Sequence, residues 1–296
     1  MGRHFVGPIG ACLVARMRHA PNVSVVLVAL LDAHTEGASW ARPWLVETLY
    51  GNLPGYAEGS DLTLRGWSVG AAWGNETLVQ SRPIVRDRSV DPVDDLLRTP
   101  ASCVIAAFGT QSKAGSGLGA SPVIKLSRFR RWLGVRVGRP LPAERSTALR
   151  RDLPGFLERH QVDRSDRELV FLTFLAQLHA AGGLRKTYSP PELIRQALSA
   201  TVEQLELEPP HNLMVSDGRT FAMMHEGGSL LSFEPPITDA QPRQRFHVTG
   251  ERDDGRRTNL LLHSESDPPE ALEHGGERVA PGAFSIDVRR PRAIER

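Results

Sequence analysis

The feature that most constrains the fold is a helical middle third between two thirds of the chain that are predicted to form strands. The segment 165–183 begins with Ser165 and has Glu168 three residues on, a capping box that predicts a helix start. Gly182-Gly183 predict its end. A second helix is predicted from Ser189 as N-cap, with Pro190 at the first helical position. Because helices seldom alternate with strands, the chain is predicted to be α+β with largely antiparallel sheets.

Short strands are predicted in both outer thirds. Gly74-Asn75 predicts a hairpin turn, and Asp217-Gly218 and Gly227-Gly228 predict the turns of a three-strand meander. The polar segment 238–258 is predicted to be a mobile loop. The predicted strands are 4–10, 66–73, 77–85, 102–110, 129–138, three within 211–233, 259–266 and 282–290.

Composition excludes several function classes. The chain has 36 basic and 34 acidic residues in 296, a balance that argues against a nucleic-acid partner. Its most apolar run, 23–31, is shorter than the roughly 20 residues that span a bilayer, and a signal-peptide pattern is not evident. We therefore expect a single cytoplasmic domain, 1–296, without a membrane partner. Cys12 and Cys103 lie in apolar runs and are expected to be buried thiols, and neither a metal nor another cofactor is expected.

Two short motifs resemble known sites but lack the required context. "GWSVG" around Ser68 fits a nucleophile elbow, which needs a following helix, whereas a strand and turn are predicted there. "GSGLGAS" resembles a phosphate loop, but Pro122 follows it and a helix is not predicted. The histidines show no metal-binding spacing and are interpreted as surface or satisfied residues; those considered are His211, His225, His247 and His263. Spacing alone therefore yields no catalytic constellation.

A set of motifs in a fixed order is more specific. In chain order they are "MGRHFVG", "GWSVGAAW", "VIAAFGTQS", "WLGVRVG", "SDRE", "NLMVSDG" and "HSESDPPEALEHGGERVAPGAF". This order, over nearly the whole chain, resembles class II glutamine amidotransferases of the N-terminal-nucleophile hydrolase type. The resemblance is closest to the branch that contains the amidohydrolase of ergothioneine biosynthesis. It implies a four-layer αββα sandwich in which two mainly antiparallel sheets lie between helix layers.

The resemblance also implies a site at the N-terminus. In the family, a cysteine at the second position attacks the γ-amide of glutamine, and its own α-amine can act as the base. An Asn-Gly pair forms the oxyanion hole, an arginine binds the substrate carboxylate, and an aspartate binds the α-ammonium. In this sequence Gly2 replaces the nucleophile, Gly109 the arginine and Val137 the asparagine, while Gly138 and Asp166 match the family.

These replacements lead to the hypothesis of a catalytically degenerate member of the family. It would act as a ligand-binding protein or as a partner in a biosynthetic or regulatory assembly, with an amino acid or γ-glutamyl compound as its ligand. The alternative is an active hydrolase of glutamine or a γ-glutamyl amide with a relocated nucleophile, for which Cys103 is the better candidate. A chance likeness of the motifs is the third possibility and predicts a different fold.

Three residues have two interpretations each. Asp166 is either a first-turn acid favoured by the helix dipole or a ligand contact. Trp67 and Trp73 are either core residues, the favoured reading, or platforms for a ligand. Arg136 is a candidate to replace the lost asparagine as a hydrogen-bond donor.

Overall fold

The computed structural model describes twelve parts of the 296-residue chain. They are residues 23–33, 38–46, 62–73, 76–83, 91–99, 101–112, 125–206, 209–234, 246–250, 257–258, 260–264 and 275–288. Gly2, Cys12, the predicted strand 4–10 and the "GSGLGAS" motif lie outside these residues.

The described residues form two seven-stranded sheets and six α-helices. The strands are β1 (Val23–Ala33), β2 (Leu62–Trp73), β3 (Glu76–Pro83), β4 (Ala101–Ser112), β5 (Ser127–Phe129), β6 (Trp132–Gly138), β7 (His211–Ser216), β8 (Thr220–Glu226), β9 (Ser229–Phe233), β10 (Phe246–Gly250), β11 (Arg257–Thr258), β12 (Leu260–Ser264), β13 (Glu277–Arg278) and β14 (Gly282–Asp287). The helices are α1 (Arg42–Val46), α2 (Pro92–Leu97), α3 (Ala143–Asp152), α4 (Gly155–Glu158), α5 (Asp166–Ala180) and α6 (Pro191–Leu205), and a 3-10 helix covers Ala38–Ala41.

Both sheets consist of antiparallel neighbours. The first sheet has the order β13-β9-β12-β1-β4-β2-β3, and the second has the order β11-β10-β14-β8-β7-β6-β5. The apolar run 23–31 lies entirely within β1, which is placed between β12 and β4 in the first sheet. Since both faces of this strand are buried, it needs a continuous apolar run rather than alternation.

Alternating side chains of the strands divide the core into three clusters. In β1, Leu27 faces the second sheet, whereas Val28 faces α1 and α2 on the outer side of the first sheet. In the second sheet, Met214 faces the first sheet, and Leu213 packs against α5 and α6. The layers therefore run helix, sheet, sheet, helix, which confirms the predicted α+β four-layer sandwich.

The two predicted helices of the middle third are confirmed, the first at its predicted start and the second with a corrected start. Ser165 caps α5 by accepting a hydrogen bond from the Glu168 N–H at 3.1 Å. The reciprocal half of the capping box does not form, because the Glu168 carboxylate accepts from the N–H groups of residues 162–164 instead. Helix α6 has Pro190 as its N-cap residue, while the Ser189 hydroxyl donates to the Gly183 carbonyl. The predicted cap was therefore wrong by one residue.

Three strand predictions need correction. The predicted strand 129–138 is a hairpin, because β5 and β6 pair on either side of Arg130-Arg131. The predicted three-strand meander is split, since β9 leaves β8 and pairs with β12 and β13 in the other sheet. Gly227 and Gly228, with φ of 95° and 81°, carry this crossing. Part of the segment expected to be a loop, 238–258, forms β10 and β11.

Candidate functional site

The layer between the sheets has two polar ends. We call Asn212, His225 and His263, with the neighbouring Val137, the histidine end. Cys103, Ser216 and Asp217 form the cysteine end. The two ends are separated by four residues along β7, from Asn212 to Ser216, which is about 13 Å of strand.

Of the residues named by the resemblance, the structure places Gly109 and Val137 at the histidine end. Val137 lies opposite Asn212 in the β6–β7 ladder, and its side chain, 2% exposed, belongs to the core between the sheets. Gly109 lies two residues beyond Ala107, a core residue of the same layer. Neither a glycine nor a packed valine has a polar side chain, so the two positions lack the side-chain chemistry that the resemblance assigns to them.

Gly138 has a structural reason to be glycine. Its φ is 141°, outside the range that L side chains usually adopt. A Cβ atom there would lie 2.5 Å from the Pro210 carbonyl oxygen and 2.9 Å from the His211 Cα atom. Close approach of β6 to the start of β7 therefore requires this glycine, independently of any oxyanion hole.

Asp166 is hydrogen-bonded within its own part of the fold. At the first turn of α5, its Oδ2 accepts from the Leu141 N–H at 2.9 Å, and its Oδ1 accepts from the Ser146 hydroxyl at 3.0 Å. The carboxylate thus ties the segment between β6 and α3 to the start of α5. These contacts favour the structural reading of Asp166, and both of its oxygens are already used.

Arg136 does not reach the layer between the sheets. It alternates with Val135 and Val137 on β6 and so faces the helices, with 2% of its surface exposed. Its Nη2 donates to the Arg139 carbonyl at 2.5 Å. Burial lowers the pKa of Arg136 to about 10, and the charge of Asp166 partly offsets the shift. The suggestion that Arg136 replaces the lost asparagine is therefore wrong in geometry.

The histidine end contains an imidazole pair that spacing alone did not reveal. The rings of His225 on β8 and His263 on β12 meet edge to face, with centroids 5.6 Å apart, and so join the two sheets. The sequence indicates that His225 faces the layer between the sheets, because it follows Phe221 and Met223 at every second position of β8. Scattered histidines in the sequence thus become neighbours because two strands from different sheets face each other.

Asn212 fixes the protonation of His225. Its Oδ1 accepts from the Glu226 N–H at 3.1 Å, and its Nδ2 donates to the Gly227 carbonyl at 3.1 Å. The orientation of the amide is therefore set, and Oδ1 must also accept from Nδ1 of His225, 2.8 Å away. A neutral ring with its proton on Nδ1 keeps a lone pair on Nε2. His225 thus has the form of a base rather than of a cation.

Burial keeps both imidazoles neutral. It lowers the pKa of His225 to about 4 and that of His263 to about 3. The charge of His225 contributes further to the lowered pKa of His263. Since the ring centroids are only 5.6 Å apart in a buried layer, two cations would repel each other strongly, and protonation of both rings at once is disfavoured.

Cys103 lies at the other end of the layer. It is six residues before Gly109 on β4, which is about 20 Å of extended strand. The thiol is fully buried, and burial raises its pKa to about 12, with a smaller opposing effect from the Ser216 hydroxyl. Because the thiolate is the nucleophilic form, these surroundings argue against Cys103 as a relocated nucleophile.

The other residues selected from the sequence have structural positions. Trp67 is 3% exposed and packs in the core of the first sheet, which confirms its core reading. Trp73 is 37% exposed, and its Nε1 donates to Glu76 at 3.1 Å, so its core reading was wrong. Ser68 lies within β2, buried, with its hydroxyl 2.6 Å from that of Ser81, so "GWSVG" is not a nucleophile elbow.

The described residues contain neither a metal-binding cluster nor a membrane-spanning helix. They contain no group of three histidine, cysteine, aspartate or glutamate side chains placed to hold a metal ion. Within the same part of the chain, none of the helices combines the length and apolar character needed to cross a membrane.

The chain is similar to several solved structures. One is a glutamine aminotransferase class-II domain protein from Silicibacter pomeroyi, with 11% identity over 90% of this chain and 100% of that one, at a TM-score of 0.43. Another is described as the allosteric regulatory enzyme of purine biosynthesis, with 12% identity over 90% of this chain and 49% of that one, at 0.45. A third is glutamine phosphoribosylpyrophosphate amidotransferase from B. subtilis, with 9% identity over 90% and 50%, at 0.44.

The chain thus spans about half the length of the second and third of these proteins. Neither a family model nor a curated protein matches the sequence. Of these descriptions, the first names a class-II domain and the third names an amidotransferase. At TM-scores below 0.5 these likenesses carry no argument about the site, and the four layers rest on the strand pairing and core of this chain.

Proposed function

We propose that this chain is a glutamine amidotransferase-like protein that does not catalyse amide hydrolysis and acts as a ligand-binding or partner subunit. One observation carries the proposal. The positions that the resemblance assigns to the substrate arginine and the oxyanion asparagine hold Gly109 and the core residue Val137, while the thiol of Cys103 is buried at the other end of the layer.

The size of the expected catalytic loss supports the proposal. Removal of a single oxyanion donor typically costs about 10² to 10³ in rate. The loss of the arginine removes a bidentate partner for the substrate carboxylate as well. Position 2 of the sequence is also glycine, which has no side chain to form a covalent intermediate. These losses act on different steps, so a single substitution would not restore the family reaction.

The proposed ligand is an amino acid or a γ-glutamyl compound, and the proposed partner is a protein of a biosynthetic or regulatory assembly in the cytoplasm. The neutral His225 imidazole and the Asn212 amide supply hydrogen-bonding chemistry at the histidine end without a charged group. Such a set suits recognition better than attack on an amide, because it offers a base without a nearby nucleophile among the described residues.

The test is an activity and binding assay on the purified chain. We expect no ammonia from glutamine and no p-nitroaniline from γ-glutamyl-p-nitroanilide above the level of heat-inactivated protein. We expect glutamine or a γ-glutamyl dipeptide to raise the melting temperature. Turnover that survives replacement of both cysteines by alanine but is lost in Asp166→Ala would overturn the proposal. Turnover that is lost only in Cys103→Ala would establish the relocated nucleophile instead.

A further inference from the structure

A second region of the molecule has the form of a binding site. A cavity of about 400 Å³ lies between the β5–β6 turn and the connection from α5 to α6. Its size is within the range of small-molecule sites. The cavity reaches Trp132, the first residue of β6. Val137, at the histidine end, is about 16 Å away along the same strand. Its lining residues are Arg130, Arg131, Trp132, Leu184, Arg185, Lys186 and Thr187.

Arg131 joins the two walls of this cavity. Its Nη2 donates to the Lys186 carbonyl at 2.7 Å and contacts the Ser189 hydroxyl at 3.4 Å. Its Nε forms an ion pair at 3.4 Å with Asp217, whose side chain is fully buried. The charge of Arg131 is therefore balanced inside the protein, and its role is to hold the α5–α6 connection against the β5–β6 turn.

The other three cations at the cavity are not balanced in this way. Arg130, Arg185 and Lys186 are exposed, and no ion pair joins them to a carboxylate in the described part of the chain. Three like charges around one cavity repel each other, and an anionic ligand would relieve that repulsion. Trp132 lines the same cavity, is 1% exposed, and has no acceptor for its indole N–H among the described residues.

The backbone at Arg130 has a conformation that favours glycine. Arg130 is the first residue of the two-residue turn between Phe129 and Trp132, and its φ is 53°. Glycine or asparagine is preferred in this left-handed region, and another residue costs about 1 kcal/mol. The guanidinium carbon lies 5.3 Å from the centroid of the Phe129 ring. An arginine thus stands where glycine would be more stable, and its head group lies over an aromatic ring.

We propose that this cavity binds a small ligand with at least two phosphate or carboxylate groups. The guanidinium groups of Arg130 and Arg185 can each contact an anionic group bidentately, and Lys186 adds a point charge. The Arg131 contacts keep the walls in place before a ligand arrives, which lowers the entropic cost of binding. The site is separate from the proposed γ-glutamyl function, and each can fail without the other.

The experiment is an isothermal titration of the full chain with inorganic pyrophosphate and, separately, with citrate. The double variant Arg185→Gln/Lys186→Gln removes two cavity charges. The matched control Arg98→Gln/Arg151→Gln removes two charges from side chains that are 80% and 81% exposed elsewhere. We expect the cavity variant to bind about tenfold or more weakly and the control to change less than about twofold. The tighter of the two probes assigns phosphate or carboxylate as the ligand group.

Arg130→Gly separates binding from stability. The substitution should keep or raise the melting temperature, because glycine adopts the turn without strain, and yet weaken binding of the same probe by about fivefold or more. A purely structural role for Arg130 would not combine these two results. The proposal is overturned if neither probe binds the parent protein, or if the control pair weakens binding as much as the cavity pair.

Discussion

The histidine end and the cysteine end of the layer between the sheets bury polar groups by different means. At the histidine end, His225 and His263 are kept without charge. At the cysteine end, Asp217 is fully buried and faces the cation of Arg131, and its Oδ1 accepts two backbone hydrogen bonds from residues 219 and 220.

This difference follows from the reference pKa of each side chain. An imidazole with an ordinary pKa of about 6.5 can lose its proton at neutral pH for a small free-energy cost, so it is buried neutral. A carboxylate with an ordinary pKa of about 4 needs a partner when it is buried at neutral pH. We therefore expect acid to destabilise the histidine end. The cysteine end should instead be destabilised by loss of the groups that pair with the buried Asp217. The predictions below test this contrast.

The largest expected effect is a loss of stability in acid. Both histidines have a folded pKa below the unfolded value of about 6.5, at about 4 for His225 and about 3 for His263. Between the folded and the unfolded pKa values, the unfolded chain binds more protons than the folded protein does. The free energy of unfolding must therefore fall as the pH falls. With two groups the slope approaches about 2.7 kcal/mol per pH unit, and the loss at pH 5 is about 4 kcal/mol. Urea unfolding from pH 8 to pH 4.5 measures it.

Matched variants assign the acid response to one end. His263→Leu should remove about half of the slope, because it removes one of the two titrating imidazoles. Leucine suits this position, since Leu27 and Leu230 are its neighbours on the adjacent strands. Cys103→Ala should lower the stability at every pH without changing the slope, since the thiol does not titrate in this range. An unchanged slope in His263→Leu would contradict the neutral imidazole pair.

An intermediate effect is expected at Asp166, at the start of α5. Asp166→Ala removes the acceptors of the Leu141 N–H and the Ser146 hydroxyl and leaves the buried Arg136 without a nearby carboxylate. We expect the free energy of unfolding to fall by about 2 to 3 kcal/mol. Asp152→Ala, at an exposed position in α3, should change it by less than about 0.5 kcal/mol.

The same measurement separates the two readings of Asp166. A residue kept for a ligand is usually neutral or unfavourable for stability in the absence of that ligand, because its position is set by function. If Asp166→Ala is as stable as the parent, the structural interpretation fails, and loss of γ-glutamyl ligand binding in that variant would establish the ligand contact. Loss of stability together with loss of γ-glutamyl ligand binding would show that the residue has both roles.

Some of the fold was predictable because the responsible patterns are local. The start of α5 at Ser165 and the turn Asp217-Gly218 depend on side-chain-to-backbone hydrogen bonds within three residues, which the residue types reveal directly. The β5–β6 hairpin was missed because Arg130 occupies a left-handed turn position where glycine or asparagine is the usual signal. The missing signal coincides with the proposed anion site.

Features that depend on which strands face each other were not predictable. Alternation indicates that His225 and His263 face inward, but only the packing of two sheets brings their rings to 5.6 Å. The crossing at Gly227-Gly228 shows the same limit, since a tight turn and a change of sheet have the same local sequence. The four-layer sandwich was indicated by the resemblance, which depends on the order of the motifs along the chain. That order is informative because it follows the topology of the fold.

The smallest expected effect is the reactivity of Cys103. In a Cys12→Ser background, Cys103 is the single thiol of the chain. Burial raises its pKa to about 12, so the thiolate fraction at pH 8 is about 10⁻⁴, and reagent has no direct access. Labelling by dithionitrobenzoate should be negligible over minutes in the native protein and complete in 6 M guanidinium. Over longer times, the native protein should be labelled at the rate at which the fold opens. Fast native labelling that glutamine slows would instead revive the cysteine end as an active site and reverse the contrast between the two ends.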